Sequence, residues 1–335
     1  MKRIGNLKNK WCNYGNLLEA FYEIKKHKSY NEKMLYFENN LVTKLNEILI
    51  QLQNNNYEVS VPREFYVYEP KKRLIKAPSI SDRLVQHAVL RQCRNILENK
   101  FLSCSFACRK GKGTHSASKL LQKYLKEYKD KGYYLKIDIK KFFYNIDHDI
   151  LESMIRRIIK CEDSIRLLVK FFRDGTGKGL PLGSVTSQLF ANLYLNRIDH
   201  YIKRSLKHKH YIRYMDDLII LCEDKNTLRH SLRKINIEVG KIILQINNKT
   251  IIGRLKEGID FVGYKTWYNR KVIRKRNLYK IKKILKHVSS VQIIITYLAH
   301  SLHSNSYIYV KSLIKHKHKN NILINKFINK HKDNK

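Results

Sequence analysis

Apolar residues recur at helical spacing between residues 17 and 53, where Leu41, Leu45, Ile48 and Leu49 share one face and Lys and Asn occupy the other. This pattern predicts an N-terminal helical segment. From Tyr57 to Pro78 the period drops to two, with Phe65 and Val67 alternating against Tyr66 and Tyr68 before the basic run KKRLIKAP, which predicts a short hairpin. Ser81 or Asp82 can cap a helix through Val85, Val89 and Leu97, after which CRKGKGTH is a glycine-punctuated basic loop. A helix over about Ser116 to Lys129 leads to the strand YYLKIDI. Asp147 then starts an amphipathic helix through Leu151, Met154, Ile155 and Ile158, and the loop GKGLPLGS opens a helix over about Thr186 to Arg204. YIRYMDDLIILC is two apolar strands around a tight turn, a hairpin with Met215 and Asp216 at its tip. A helix over about Thr227 to Ile243 and a strand over Ile259 to Tyr264 follow.

Mixed strands and helices in this order indicate an α+β fold, and no self-similarity at repeat-protein periods interrupts it. At 335 residues with 43% hydrophobic content, the chain can bury a core split into subdomains.

Charge changes the picture more than composition does. The 68 Lys and Arg against 28 Asp and Glu leave a formal +40, which implies a polyanionic partner such as nucleic acid. A bias toward Lys, Asn and Ile accounts for abundant Lys but not for the shortage of acids. From Val262 to Lys335 there are eighteen Lys or Arg and one acid, Asp333, so this stretch reads as a basic helical appendage without carboxylates for a second metal-dependent nuclease. The run Val291 to Ala299 is too short to span a bilayer, and MKRIGNLKNKWC lacks the apolar stretch of a signal peptide. No membrane role and a cytoplasmic location are therefore expected. Six scattered cysteines without a CxxC pair suggest neither a zinc ribbon nor a disulfide framework, and His300 with His303, or His316 with His318, lack companion ligands.

The chemistry concentrates on aspartates. Asp138 sits inside an apolar strand among Leu135, Ile137 and Ile139, where a charge costs several kcal/mol unless a partner or cation meets it. Asp216 and Asp217 lie between Tyr214 and Leu218 at a hairpin tip. An Asp-Asp turn alone is an ordinary loop feature. An aspartate-bearing strand, a Tyr-x-Asp-Asp hairpin and a strongly basic chain together point to a two-metal site for phosphoryl transfer.

The segments YYLKIDIKKFFYNIDH, GLPLGSVTSQLFANLYLNRIDH, RYMDDLIIL and GIDFVGYKTW resemble successive motifs of bacterial reverse transcriptases, in the same order. SDRLVQHAVL and FACRKGKGTH resemble their upstream fingers motifs, so the likeness runs from about residue 57 to 270. It implies a right-hand polymerase: the N-terminal helical segment 1–55, fingers 56–130, a palm with an antiparallel sheet 131–265 and a helical thumb 266–335. It also implies an RNA-directed DNA polymerase working on template RNA, a cDNA or primer strand and dNTPs, with two Mg²⁺ ions that Mn²⁺ could replace.

Roles follow position by position. The resemblance implies that Asp138 and Asp216 ligate metal, Asp217 supports them and the Ile139 carbonyl adds an oxygen. Phe143 matches the aromatic that excludes a ribose 2′-hydroxyl, and a fully packed core aromatic is the plainer alternative. Lys72 and Arg73 match a basic pair that holds the incoming triphosphate, beside Leu182 and Gly183. Arg109, Lys110, Lys112, Tyr214, Met215 and Gly263 fall at nucleic-acid-facing positions. Arg109 to Thr114 lacks P-loop spacing, so ATP hydrolysis is not indicated.

One departure narrows the expectation. Most reverse transcriptases carry Gln-Gly before the helix of the fourth motif and Ser-Pro after it, whereas this chain has Leu182-Gly183 and Ser187-Gln188. That pattern resembles the enzymes of diversity-generating retroelements, which copy RNA with errors at adenines and work with a small basic helical accessory protein. Retron, group II intron-like and phage-defence reverse transcriptases are the enzymatic alternatives, and an inactive RNA-binding protein on the same fold is the alternative of another class.

Overall fold

Side-chain caps set where many of the helices begin. Asn13 accepts from Asn16 N–H, Asn31 from Met34 N–H, Ser79 from Asp82 N–H, Asp147 from Ile150 N–H and Asn321 from Ile324 N–H. Each satisfies an amide that the first helical turn leaves unpaired. The computed structural model describes residues 3–26, 31–68, 71–287, 290–317 and 321–331. His318 and Asp333 lie outside them.

The described chain forms two units. The first comprises Met1–Cys108, Asp138–Leu206 and Lys234–Asn248. Its N-terminal part is helical, with helices that include Tyr14–Lys25, Glu32–Asn39 and Leu41–Gln53. In the last of these Leu45, Ile48 and Leu52 are buried, so Leu52 rather than Leu49 completes the inward face. Helix Ile80–Glu98 begins earlier than expected because Ser79, not Ser81, is the cap. Asn16 donates from Nδ2 to the Ala88 carbonyl at 2.9 Å, tying helix Tyr14–Lys25 to it. Helix Val185–His200 is buried on nearly every side, with Phe190, Tyr194 and Leu195 fully enclosed. Each such apolar side chain contributes roughly 1.5–3 kcal/mol.

This unit also holds the expected hairpin, β1 (Arg63–Val67) paired antiparallel to β2 (Arg73–Ala77). Every β1 residue is exposed. The hairpin therefore gains little from burial and is placed by contacts of β2, where Lys76 N–H donates to the Leu182 carbonyl at 2.7 Å.

The second unit comprises Arg109–Ile137, Lys207–Arg233 and Lys249–Lys335. It contains helix Thr114–Tyr128 and most of a four-stranded sheet built from β3 (Tyr133–Asp138), β4 (Tyr211–Tyr214), β5 (Asp217–Cys222) and β6 (Ile251–Arg254), in the order β4-β5-β3-β6. Leu135, Ile137, Ile212, Ile219 and Ile220 pack its core. The strand expected over Ile259–Tyr264 is in fact two, β7 (Ile259–Phe261) and β8 (Tyr264–Thr266), because Val262 and Gly263 turn the chain, and β9 (Lys271–Ile273) completes a second sheet. Four helices between Lys275 and Lys330 bury Ile281, Ile294, Leu298, Val310, Ile314, Ile324 and Ile328 in one cluster with Tyr264 and Ile273. The α+β class expected from the sequence holds, with antiparallel sheets and many helices.

Candidate active site

Two residues, Met215 and Asp216, connect β4 to β5, with Tyr214 directly opposite Asp217. A loop this short follows the twist of its strands only if a central residue enters the left-handed region, and Met215 does so at φ +55°. Arg213 supports the turn from beneath: fully buried, it donates from Nη1 to the Met215 carbonyl at 3.1 Å. Tyr214 packs edge-on against Phe261, with ring centroids 6.4 Å apart. The turn thus presents Asp216 and Asp217 from a supported backbone, both half-buried.

Strand β3 ends at Asp138. Within the first unit Asn247 holds that residue twice, by N–H to the Asp138 carbonyl and by Nδ2 to Oδ2, each at 2.7 Å. Ile139 faces Ile246 in an isolated antiparallel bridge, and the flanking bonds run from Asn247 to Asp138 and from Lys140 to Gln245. In such a pair the residue between the bonds points its own carbonyl away from its partner, which leaves Ile139 O free to face elsewhere. In the second unit Lys136, two residues before the end of β3, brings Nζ to 3.8 Å from Asp217 Oδ1 and donates to the Asp260 carbonyl at 2.8 Å. Lys136, Arg213 and Asn247 were not singled out in the sequence. The alternation of β3 puts Lys136 on the face of Asp138, but Asn247 lies 109 residues away and carried no local signal.

Phe142 and Phe143 divide their work. The chain enters a short 3₁₀ turn, Phe142–Tyr144, through Lys141 at φ +46°. Phe142 is buried, while Phe143 stays half-exposed, with its carbonyl accepting from Leu180 N–H at 2.7 Å. The core role therefore falls to Phe142.

Lys72 and Arg73 lie on different faces of the hairpin. Arg73 sits opposite Val67 and, two residues on, Ile75 sits opposite Phe65, so these four share one face of the hairpin. Lys72 instead places Nζ 4.4 Å from the Tyr66 ring centroid, on the other face. Gly183, at φ +119°, lies against β2: a Cβ there would come within 3.0 Å of the Lys76 carbonyl oxygen and 3.1 Å of Ile75 Cγ2. Leu182 and Gly183 thus adjoin the strand that carries Arg73.

In the loop Arg109 to Thr114, Lys112 N–H donates to the Arg109 carbonyl, Gly111 adopts φ +71° and helix Thr114–Tyr128 starts from Gly113 without a side-chain cap. Lys110 is exposed. Gly263, at φ +91°, makes the turn between β7 and β8, 3.4 Å from the His300 ring once a Cβ is added. Its carbonyl accepts from Arg274 N–H at 3.1 Å. The His115 and His303 rings lie tilted against each other with centroids 3.7 Å apart, and His300 lies near, but among the described residues no group of three His, Cys, Asp or Glu is placed to hold a metal.

Residues 67–266 match the family described as reverse transcriptase (RNA-dependent DNA polymerase). The chain belongs to that reverse transcriptase family. Among curated relatives, the group II intron-encoded protein LtrA of Lactococcus lactis subsp. cremoris is 27% identical over 222 residues, covering 62% of this chain and 37% of that protein. The protein YkfC of Escherichia coli K12 is 24% identical over 286 residues, covering 71% of this chain and 74% of its own length. The chain thus spans little more than a third of the length of LtrA. A solved telomerase from Candida albicans, in complex with a TWJ fragment of telomeric RNA, aligns with a TM-score of 0.54 at 12% identity, over 84% of this chain and 60% of that one. The likeness shows the fold, the α+β right-hand polymerase type. No helix among the described residues is long and apolar enough to cross a membrane.

Proposed function

We propose that this reverse transcriptase makes cDNA on an RNA template by two-metal nucleotidyl transfer. The observation that carries the reading is the supported two-residue turn that presents Asp216 beside Asp217, at the head of the sheet to which β3 also belongs. Hard oxygen donors suit Mg²⁺, with Mn²⁺ as a substitute. Asp138, Asp216 and the outward carbonyl of Ile139 would hold the ions, and Asp217, neutralised by Lys136, would support them. Bound there, the cations would activate the primer hydroxyl and neutralise charge on the leaving pyrophosphate.

The chain's own residues do the rest. Asn247 fixes one oxygen of Asp138, so the carboxylate keeps a single orientation. Arg73 offers a guanidinium fork to the triphosphate on the face of the hairpin next to Gly183. Phe143 occludes a ribose 2′-hydroxyl by volume. Lys110, Lys112, Arg109, Tyr214, Met215 and Gly263 face the primer and template strands.

The subtype we favour is the low-fidelity enzyme of a diversity-generating retroelement, mutagenic at adenines and working with a small basic helical accessory protein in the cytoplasm. Leu182 supports it: Gln at this position could hydrogen-bond the nucleotide, whereas Leu offers shape alone, so a misaligned pair is penalised less. The group II intron-encoded relatives favour the second reading, an intron-type reverse transcriptase. Sequencing cDNA made on a defined RNA template separates them. Errors concentrated at template adenines, suppressed by Leu182→Gln, support the first, and an even error spectrum supports the second. Loss of Mg²⁺-dependent extension in Asp216→Ala is required by both, and a wild-type chain inert with its partners supplied would leave only an RNA-binding role.

A further inference from the structure

The register of β1 against β2 creates two surfaces with different chemistry. Arg63, Phe65 and Val67 look one way together with Arg73, Ile75 and Ala77, while Glu64 and Tyr66 look the other way with Leu74 and Lys76. Tyr68 extends the second surface, its ring centroid 6.4 Å from that of Tyr66. Lys72 Nζ hovers over both rings, 4.4 Å from Tyr66 and 6.0 Å from Tyr68. Tyr66 is 51% exposed and Tyr68 68% exposed, so both rings keep open surface beside the Lys72 ammonium.

The inner end of this surface opens into a cavity of about 480 Å³ within the first unit, reached past Glu64, Leu74 and Lys76 and floored by Gln86 and Ser184. Ser184 Oγ donates to Gln86 Oε1 at 2.9 Å. Lys76 lies between Glu64, at 3.6 Å, and Asp174, at 3.8 Å, so the acids along this path are offset by a cation.

We propose that the Tyr66–Tyr68–Lys72 surface binds unpaired RNA, with successive bases stacked on the two rings and the intervening phosphate met by Lys72. Three features select this occupant. Flat exposed rings stack any base regardless of sequence. A cation between them matches a phosphodiester in a chain of formal charge +40. Paired strands hide the faces of their bases, so a duplex cannot use the rings. The surface is separate from the Arg73 face, which leaves one side of the hairpin for the nucleotide and the other for the strand still to be copied. Only the naming of that strand as template rests on the polymerase reading.

The test is fluorescence anisotropy of the full chain with a short labelled single-stranded RNA and with a blunt RNA–DNA duplex, without Mg²⁺ or dNTPs. Tyr66→Ala with Tyr68→Ala is expected to weaken single-strand binding by about fivefold or more per ring, while duplex affinity and the slope of log K against log salt stay as in the wild type. Tyr66→Phe with Tyr68→Phe keeps both ring faces and should bind like the wild type. Unchanged single-strand affinity in the alanine variant, or a parallel loss for both probes, overturns the proposal. A wild type that fails to extend primers would sink the polymerase reading and leave this binding result standing.

Discussion

Gly183→Ala tests whether the hairpin and the loop before helix Val185–His200 form one nucleotide-binding unit. Gly183 has φ +119°, and a side chain in that region of backbone space costs about 1–2 kcal/mol. The new Cβ would also stand 3.0 Å from the Lys76 carbonyl oxygen and 3.1 Å from Ile75 Cγ2. One contact is backbone and cannot swing aside, so relief means moving β2 away from the loop, at roughly 1 kcal/mol or more. Together these come to about 2–3 kcal/mol, directed at the Lys76–Leu182 hydrogen bond that seats the strand carrying Arg73. If that seating positions the triphosphate, kcat/KM for a single dNTP falls about thirtyfold or more, mostly through KM. Gly175→Ala is the control, because φ there is +83° but nothing lies within 4 Å of the added carbon. It should lower thermal stability modestly and leave KM for dNTP alone. Equal kinetics for the two variants would refute the argument, since backbone strain would then be the whole effect.

Other outcomes follow from the same geometry. Phe142→Ala should destabilise the chain by about 3–5 kcal/mol in denaturant titrations, whereas Phe143→Ala should leave stability nearly unchanged and raise ribonucleotide incorporation in primer extension. Asn247→Ala, which frees Asp138 Oδ2, should cut Mg²⁺-dependent extension by about 10- to 100-fold and raise the Mg²⁺ concentration needed for half-maximal rate. Desolvation first, then the charges of His303, His300 and Lys271, push the His115 pKa down to about 4; His300 and His303 are lowered chiefly by burial. All three folded values lie below the unfolded imidazole value of about 6.5, so the unfolded chain takes up protons first as pH falls. Stability in thermal melts should be whole above about pH 6.5 and decline toward about pH 4, and His303→Asn should flatten that decline.

Much of the fold could be read from the chain because its signals are local. Apolar spacing found the helices around Val85, Leu151 and Thr186, and Asp147 marks its own cap. The Tyr-Met-Asp-Asp hairpin was legible because a two-residue turn between apolar strands has few alternatives. What escaped depends on non-local partners. Nothing near Asn247 announces Asp138, and the division of Lys72 from Arg73 follows from a strand pairing that adjacent letters do not display. Val262 and Gly263 read as strand because flanking apolar residues mask a turn made possible by positive φ at both positions. Phe142 and Phe143 are chemically identical, and the 3₁₀ turn entered through the left-handed Lys141 buries the first and leaves the second half-exposed.

The bond between Asn247 and Asp138 also orders events during synthesis. A ribosome that has delivered residues 1 to 240 has already made Asp138, Phe142 and the Met215–Asp216 turn, yet the amide that steadies Asp138 has not been translated. Closing a loop of this length carries an entropic cost that must be met before the contact gives anything back. A nascent chain therefore leaves the Asp138 carboxylate without its Asn247 amide until this late return is made.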